Sequence, residues 1–153
     1  MATCSDLMTK NPICCLSTDS ASHAAQLMKH EEVGLLPVVQ DQDDQRVIGV
    51  VTDRDLVVHV VANGRRPDDT VVADVMTANP VMCHADDSLE QGLAAMAQHQ
   101  VRRVPIVDHV GRIVGIIAQA DVALHLDDPT TISEVVRKIS KPTPVHPSMA
   151  ITE

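Results

Sequence analysis

The chain of 153 residues contains no phenylalanine, tyrosine or tryptophan. Its core must therefore be filled by Val, Ile, Leu, Met and Ala, and RNA-binding modules that stack bases on aromatic side chains are excluded. Positive charge is scarce as well: 12 Lys and Arg stand against 21 Asp and Glu, a formal net charge of −9. Such a surface repels a polyanion, because nucleic-acid affinity rests on neutralising phosphates, so no nucleic-acid partner is expected. Long apolar runs are also missing. No stretch approaches the roughly 18 residues that span a bilayer, and no basic segment followed by an apolar run opens the chain. A soluble, cytoplasmic protein without a membrane partner is expected. The four cysteines (Cys4, Cys14, Cys15, Cys83) lack Cys-x-x-Cys spacing, which signals neither a disulfide scaffold nor a zinc knuckle and favours buried small apolar side chains.

Catalytic signatures are absent too. The eight histidines (His23, His30, His59, His84, His99, His109, His125, His146) are scattered, and no nucleophile elbow or phosphate loop occurs. No enzyme activity and no obligatory cofactor are expected. His59 and His125 fall at nearly equivalent places in the repeat described next and are candidates for a helix contact. The metal chemistry left open is a divalent ion held between His and Cys of different segments.

What the chain does contain is itself, twice. Asp6-Leu-Met-Thr-Lys-Asn-Pro12 returns as Asp74-Val-Met-Thr-Ala-Asn-Pro80, and Met28, Val33 and Pro37 return at the same offset as Met96, Val101 and Pro105. After a loop two residues longer in the first copy, Arg46-Val-Ile-Gly49-Val-Val realigns with Arg112-Ile-Val-Gly115-Ile-Ile. Each copy of roughly 55 residues would be marginal alone, burying only about 60% of its unfolded surface. Two copies do not make an extended array, so they should pack on each other as one unit about a pseudo-twofold axis.

Within a copy the pattern reads β-α-β-β-α. Ile13 to Leu16 is a short β-type run, Ser20 caps a helix whose buried face is Ala21, Ala24, Ala25 and Met28, and Gly34 ends it. Leu36 to Val39 and Val47 to Val51 read as strands around a polar hairpin loop, and a second helix runs from Asp53 to about Ala62. The second copy repeats this with strands near Val81–Cys83, Val104–Val107 and Ile113–Ile117, and helices over 88–99 and from Asp121 to Leu126. A last helix is expected over 132–139. The organisation is thus a first unit over 1–62, a connection over 63–73, a second unit over 74–127, and a C-terminal helix and tail over 128–153.

The chemistry sits where a strand hands over to a helix. Gly49-Val-Val-Thr52-Asp-Arg-Asp55 puts a hydroxyl at the helix N-cap and a carboxylate three residues on, with Arg54 between. One reading is a capping box in which Thr52 and Asp55 satisfy each other's backbone amides. The other is a ligand site: helix amides and the Thr52 hydroxyl meet a phosphate, Arg54 adds counter-charge, and Asp55 accepts from ribose hydroxyls. The two readings can alternate, cap when empty and ligand contact when full.

Two β-α-β-β-α units, each opening with Asp-(Leu/Val)-Met-Thr-x-Asn-Pro and closing on a glycine-led strand with (Thr/Ser)-x-x-Asp, resemble the tandem cystathionine-β-synthase (CBS) domain pair, or Bateman module, over residues 4–127. The resemblance implies a regulatory module that binds AMP, ADP, ATP or a related adenosine ligand such as NAD or S-adenosylmethionine in a cleft between the units. It assigns the phosphate-contacting hydroxyl to Thr52 and the ribose carboxylates to Asp55 and Asp121. In the second copy Ala118 and Ala120 stand where Thr52 and Arg54 stand in the first, so the first site is the better one, although Arg103 beside Arg102 could supply phosphate contacts. By position, the base-binding residues are Ile13 and Cys14 with Leu35 and Pro37 in the first copy, and Val81 and Met82 with Arg103 and Pro105 in the second.

The alternative is a non-catalytic scaffold or partner-binding CBS protein whose clefts are empty or hold a metal, its protein target unidentified. The stretch Leu56 to Val61 is more apolar than an exposed helix should be, which points to a homodimer unless that face is consumed within the pair. From the length, no fused enzyme is expected.

Overall fold

The computed structural model describes residues 2–125 together with Ser133, Arg137, Ile139 and Ser140. In chain order the elements are α1 (Cys4–Leu7), β1 (Thr9–Lys10), β2 (Cys15–Leu16), α2 (Ala21–Glu31), β3 (Leu35–Val39), β4 (Val47–Thr52) and α3 (Asp53–Leu56). The second half supplies β5 (Thr77–Ala78), β6 (Cys83–His84), α4 (Leu89–His99), β7 (Arg103–Val107), β8 (Ile113–Ala118) and α5 (Gln119–His125). The expected α/β architecture of two β-α-β-β-α units is present, as β2-α2-β3-β4-α3 and β6-α4-β7-β8-α5.

Local sequence explains the helices. Ser20 Oγ accepts from His23 N at 3.0 Å and starts α2, which buries Ala21, Ala24 and Met28; Ser88 and Gln91 form a capping box at α4, which buries Leu89, Leu93 and Met96. Both helices end on a left-handed residue that is not glycine, Glu32 (φ 56°) and Gln100 (φ 53°). The expected terminator Gly34 lies beyond the end of α2 and serves a close approach described below. The helix expected over 53–62 keeps α geometry for one turn and then passes into a π-type turn over Val57–Val61. Of the helix expected over 132–139, Ser133, Arg137 and Ile139 are helical, as is Ser140 just beyond it, and Ile139 is buried in the second core; its other residues and the rest of the tail lie outside the described residues.

The two sheets run β2-β3-β4-β5 and β1-β8-β7-β6. Each therefore takes its outermost strand from the segment that leads into the other unit: β1 pairs antiparallel with β8 (Thr9 opposite Ile116), and β5 pairs antiparallel with β4 (Val50 opposite Thr77). The repeated Met and Gly of the sequence motif meet here. A Cβ on Gly49 would stand 2.8 Å from Met76 Sδ and 2.9 Å from the Thr77 carbonyl, and one on Gly115 would collide with Met8. Asn11 (φ 52°) and Asn79 (φ 51°) then turn the chain off the sheet in the left-handed conformation that Asn tolerates, and Pro12 and Pro80 follow.

Packing boundaries consequently differ from the boundaries in chain order. Cys4 is buried in the second core, with Leu93, Met96, Ile106 and Ile117, whereas Val72 and Val75 from the 72–75 stretch are buried in the first, with Met28, Leu36, Val51 and Val60. The pseudo-twofold relation is visible in backbone bonds between the two β-hairpins: Val47 N donates to Gly111 O (3.1 Å), and its repeat equivalent Ile113 N donates to Gln45 O (3.0 Å). No described helix is long and apolar enough to cross a membrane.

Candidate functional site

Two clefts of similar size lie between the units. The first, about 600 Å³, is walled on one side by Thr52, Asp53, Arg54 and Asp55 at the β4–α3 junction. Its other side comes from the second unit: Thr77, Pro80 and Val81 before β6, and Gln100 to Arg103 with Pro105 at the start of β7, while Leu35 and Val50 form its apolar floor. The Thr52 hydroxyl accepts from Asp55 N at 3.0 Å, and Asp55 Oδ2 accepts from Thr52 N at 2.9 Å. The capping box is thus formed, and it does not exhaust either side chain. A hydroxyl that accepts still has a proton to donate, and Asp55 Oδ1 makes no hydrogen bond among the described residues. Cap and ligand contact are compatible at once and need not alternate.

The second cleft, about 580 Å³, is its pseudo-symmetric counterpart: Ile116, Ala118 and Asp121 at the β8–α5 junction face Thr9 to Ile13 and the Glu31–Leu35 turn of the first unit. Asp121 Oδ2 accepts from Ala118 N at 3.1 Å, the same half of a capping box, with no hydroxyl to complete it. Arg103 and Leu35 line both clefts. A Cβ on Gly34 would lie 2.7 Å from Arg103 Nη1 and 2.8 Å from Asp53 Oδ2, so the absent side chain is what lets the guanidinium and this carboxylate rest on the partition between the clefts. Arg103 has no ion pair among the described residues.

The CBS domain family model matches residues 4–62 and 72–128, most of the chain and both copies of the repeat. The chain belongs to the CBS domain family. Hypoxic response protein 1 of Mycobacterium tuberculosis is 34% identical over 142 residues, 93% of this chain and 96% of that protein. Among solved structures, Hypoxic Response Protein I with two coordinated zinc ions superposes with a TM-score of 0.74 at 34% identity, over 82% of this chain and 99% of that one. CBSX2 in complex with AMP gives a TM-score of 0.69 at 27% identity, over 81% and 95% of the two chains. The CBS domain pair of protein MJ0100 with 5′-methylthioadenosine and S-adenosyl-L-methionine gives 0.72 at 25%, over 81% and 94%.

The CBS units contribute to the clefts crosswise. Thr52, Arg54 and Asp55 of the first unit share their cleft with Val81, Arg103 and Pro105 of the second, whereas Asp121 faces Ile13 and Leu35 of the first. The residues grouped by copy in the sequence are therefore divided between sites. Three candidates stand apart from both cleft walls. Pro37 is fully buried within β3, Met82 is 37% exposed but lines neither cleft, and Cys14 turns its thiol toward the Pro12 carbonyl (3.5 Å). Sequence reasoning missed Asp53, Thr77 and Gln100 in one cleft and Lys10, Glu31 and Glu32 in the other; all but Thr77 vary between the copies, so the repeat gave no signal for them, whereas Thr77 repeats Thr9 in the shared motif and could have been found there.

Burial decides the state of the thiols. It pushes Cys14 up to about 11 and Cys15 up to about 12, the latter helped by Asp19 and Cys14, so neither offers a thiolate nucleophile near neutrality. Among the described residues no three His, Cys, Asp or Glu side chains converge as a metal site. No such cluster for zinc ions, which Hypoxic Response Protein I coordinates, is thus assembled among the described residues, and His59 is exposed on the surface; the side chain of His125 lies outside the description.

Proposed function

We propose that the chain is a non-catalytic regulatory module that holds an adenine nucleotide, such as AMP, ADP or ATP, in the Thr52 cleft. The observation that carries this reading is the convergence of a donor hydroxyl (Thr52), a carboxylate oxygen with no hydrogen-bond partner among the described residues (Asp55) and three arginines (Arg54, Arg102, Arg103) in one cleft of about 600 Å³. A volume of this order suits a small ligand, the apolar floor suits a purine, and the arginines suit phosphate. The AMP complex of CBSX2 supports the same assignment by likeness. Occupancy would favour one arrangement of the paired units, and the difference in affinity between arrangements sets how far a protein target can be shifted.

The test is a thermal-shift panel with AMP, ADP, ATP, NAD and S-adenosylmethionine on the parent, Asp55→Ala and Asp121→Ala. The parent and Asp121→Ala should be stabilised by AMP, and Asp55→Ala should not. Stabilisation that survives Asp55→Ala and disappears in Asp121→Ala would reverse the ranking of the clefts. The scaffold reading gains if every adenosine compound leaves all three proteins unmoved. Either reading accommodates a homodimer: Val57, Val58 and Val61 are 57%, 39% and 68% exposed, so this face is not consumed within the pair.

A further inference from the structure

We propose that Met8 and Met76 are oxidation-sensitive latches: conversion of their thioethers to sulfoxides by a hydroperoxide releases the borrowed strands β1 and β5, and with them one wall of each cleft. The inference goes beyond the nucleotide reading and does not depend on it. It starts from the contact that holds each strand against the sheet of the other unit. The Met8 side chain, Sδ foremost, crowds the point where a Cβ on Gly115 would stand, and Met76 Sδ lies 2.8 Å from the corresponding point on Gly49, with Cγ at 3.3 Å. The same thioether-on-glycine contact is thus built twice, at equivalent places of the two copies. Each strand is short besides. β1 pairs with β8 through Thr9 and Lys10, and β5 pairs with β4 through Thr77 and Ala78.

Accessibility singles out these sulfurs. Among the described methionines, Met28 and Met96 are buried in the cores, whereas Met8 and Met76 are half-buried on the core margins and Met82 is 37% exposed. The thiols compete poorly, because burial raises Cys4 and Cys14 to about 11 and Cys15 to about 12 and so leaves little thiolate to attack a peroxide. Attack of Sδ on a hydroperoxide breaks the O–O bond, transfers one oxygen to sulfur as a two-electron oxidation, and releases water or an alcohol. The product carries a polar oxygen on an atom that already rests on backbone. A glycine Cα surface offers that oxygen neither space nor an N–H donor, so the side chain must leave its niche to be solvated. The effect reaches both clefts, since Thr9 to Ile13 wall one and Thr77, Pro80 and Val81 wall the other. A reductase that passes two electrons from a dithiol to the sulfoxide, releasing water and leaving a disulfide, resets the latch.

Hydrogen peroxide titration of the full chain tests this on the parent, on Met8→Leu/Met76→Leu and on Met82→Leu, read by peptide mass spectrometry, melting temperature and amide hydrogen exchange. In the parent, sulfoxide at Met8 and Met76 should lower the melting temperature by about 2–10 °C, the effect of a forced insertion into a packed site in a domain of this size. Exchange at residues 9–10 and 77–78 should quicken about tenfold or more, as expected of a local opening. Methionine sulfoxide reductase with a dithiol should restore both readouts, and the dithiol alone should not. Leu is close to Met in volume, so the double variant should fold, and under the same peroxide it should keep its melting temperature and strand exchange; Met82→Leu should respond as the parent does. If the double variant fails to fold, the parent decides, because its loss of melting temperature should follow the oxidised fraction of Met8 and Met76 and not that of Met82. Three results each overturn the proposal: complete oxidation of Met8 and Met76 with strand exchange unchanged, no oxygen on either while Met82 is fully oxidised, or a folded double variant as sensitive as the parent.

Discussion

Replacing Thr52 by Ala separates the two duties assigned to one hydroxyl. In the free protein the loss is that of an N-cap, since Asp55 N gives up its 3.0 Å acceptor; caps of this kind contribute about 1 kcal/mol. For a domain of this size the melting temperature should fall by about 2–4 °C. With AMP the second duty appears. A hydrogen bond to a charged phosphate contributes about 2 kcal/mol, which corresponds to a roughly 30-fold weaker Kd. At an AMP concentration 100 times the parent Kd, the parent gains about 2.7 kcal/mol and a rise of about 5–11 °C; the variant, now at about three times its own Kd, gains only about 0.9 kcal/mol. Thr52→Ser should recover most of both effects. The assay needs an external dye or circular dichroism, because the chain has no tryptophan. If Thr52→Ala melts earlier but keeps the full AMP increment, the hydroxyl is a cap and nothing more, and the phosphate assignment is refuted.

Three further outcomes are expected. Gly49→Ala forces a Cβ to within 2.9 Å of the Thr77 carbonyl, which cannot rotate away, so urea unfolding should show a loss of about 1–3 kcal/mol; a change below about 0.5 kcal/mol would deny that the borrowed strand β5 is held this closely. The thiols set an alkaline limit. Burial, with Cys83 and Asp87 adding to it, raises Cys4 to about 11, and Cys14 and Cys15 are likewise raised to about 11 and about 12, so the unfolded chain releases protons above pH 9 that the folded chain retains. Stability should therefore be insensitive to these groups below pH 9 and fall progressively from pH 9 to 11; replacing Cys15 by Ala should flatten that slope in urea midpoints, and an unchanged slope contradicts the assignment. Val61→Glu places a charge on the most exposed apolar residue of the α3 extension and should convert a dimer to a monomer in sedimentation velocity, whereas a dimer that persists lies on another face.

The parts of this molecule legible in its sequence are those with local causes. Ser20, Thr52 and Ser88 announce helix starts because a hydroxyl answers amides within three residues, and β3 and β4 announce themselves by apolar content over five or six residues. The duplication further implied a pseudo-twofold pair, since identical surfaces that bury one another do so symmetrically, and it flagged Ala118 and Ala120 as losses against Thr52 and Arg54.

Other features depend on which distant segments meet. A two-residue strand such as Thr9–Lys10 or Thr77–Ala78 has no periodicity of its own, and it joins the sheet of the opposite unit because Met8 and Met76 find there a glycine with room for them. That exchange makes both clefts composite, draws Val81 and Arg103 to Thr52 and Ile13 to Asp121, and leaves Cys14 and Met82 aside. Gly34 shows the same division: its sequence context suggests a helix stop, while its actual necessity is the space occupied by Arg103 and Asp53. Sequence alone determined which chemical groups this protein carries and in which repeated order; tertiary structure decided which of them share a cleft, because that depends on packing between segments far apart in the chain, such as Ile13 and Asp121, for which local propensity carries no information.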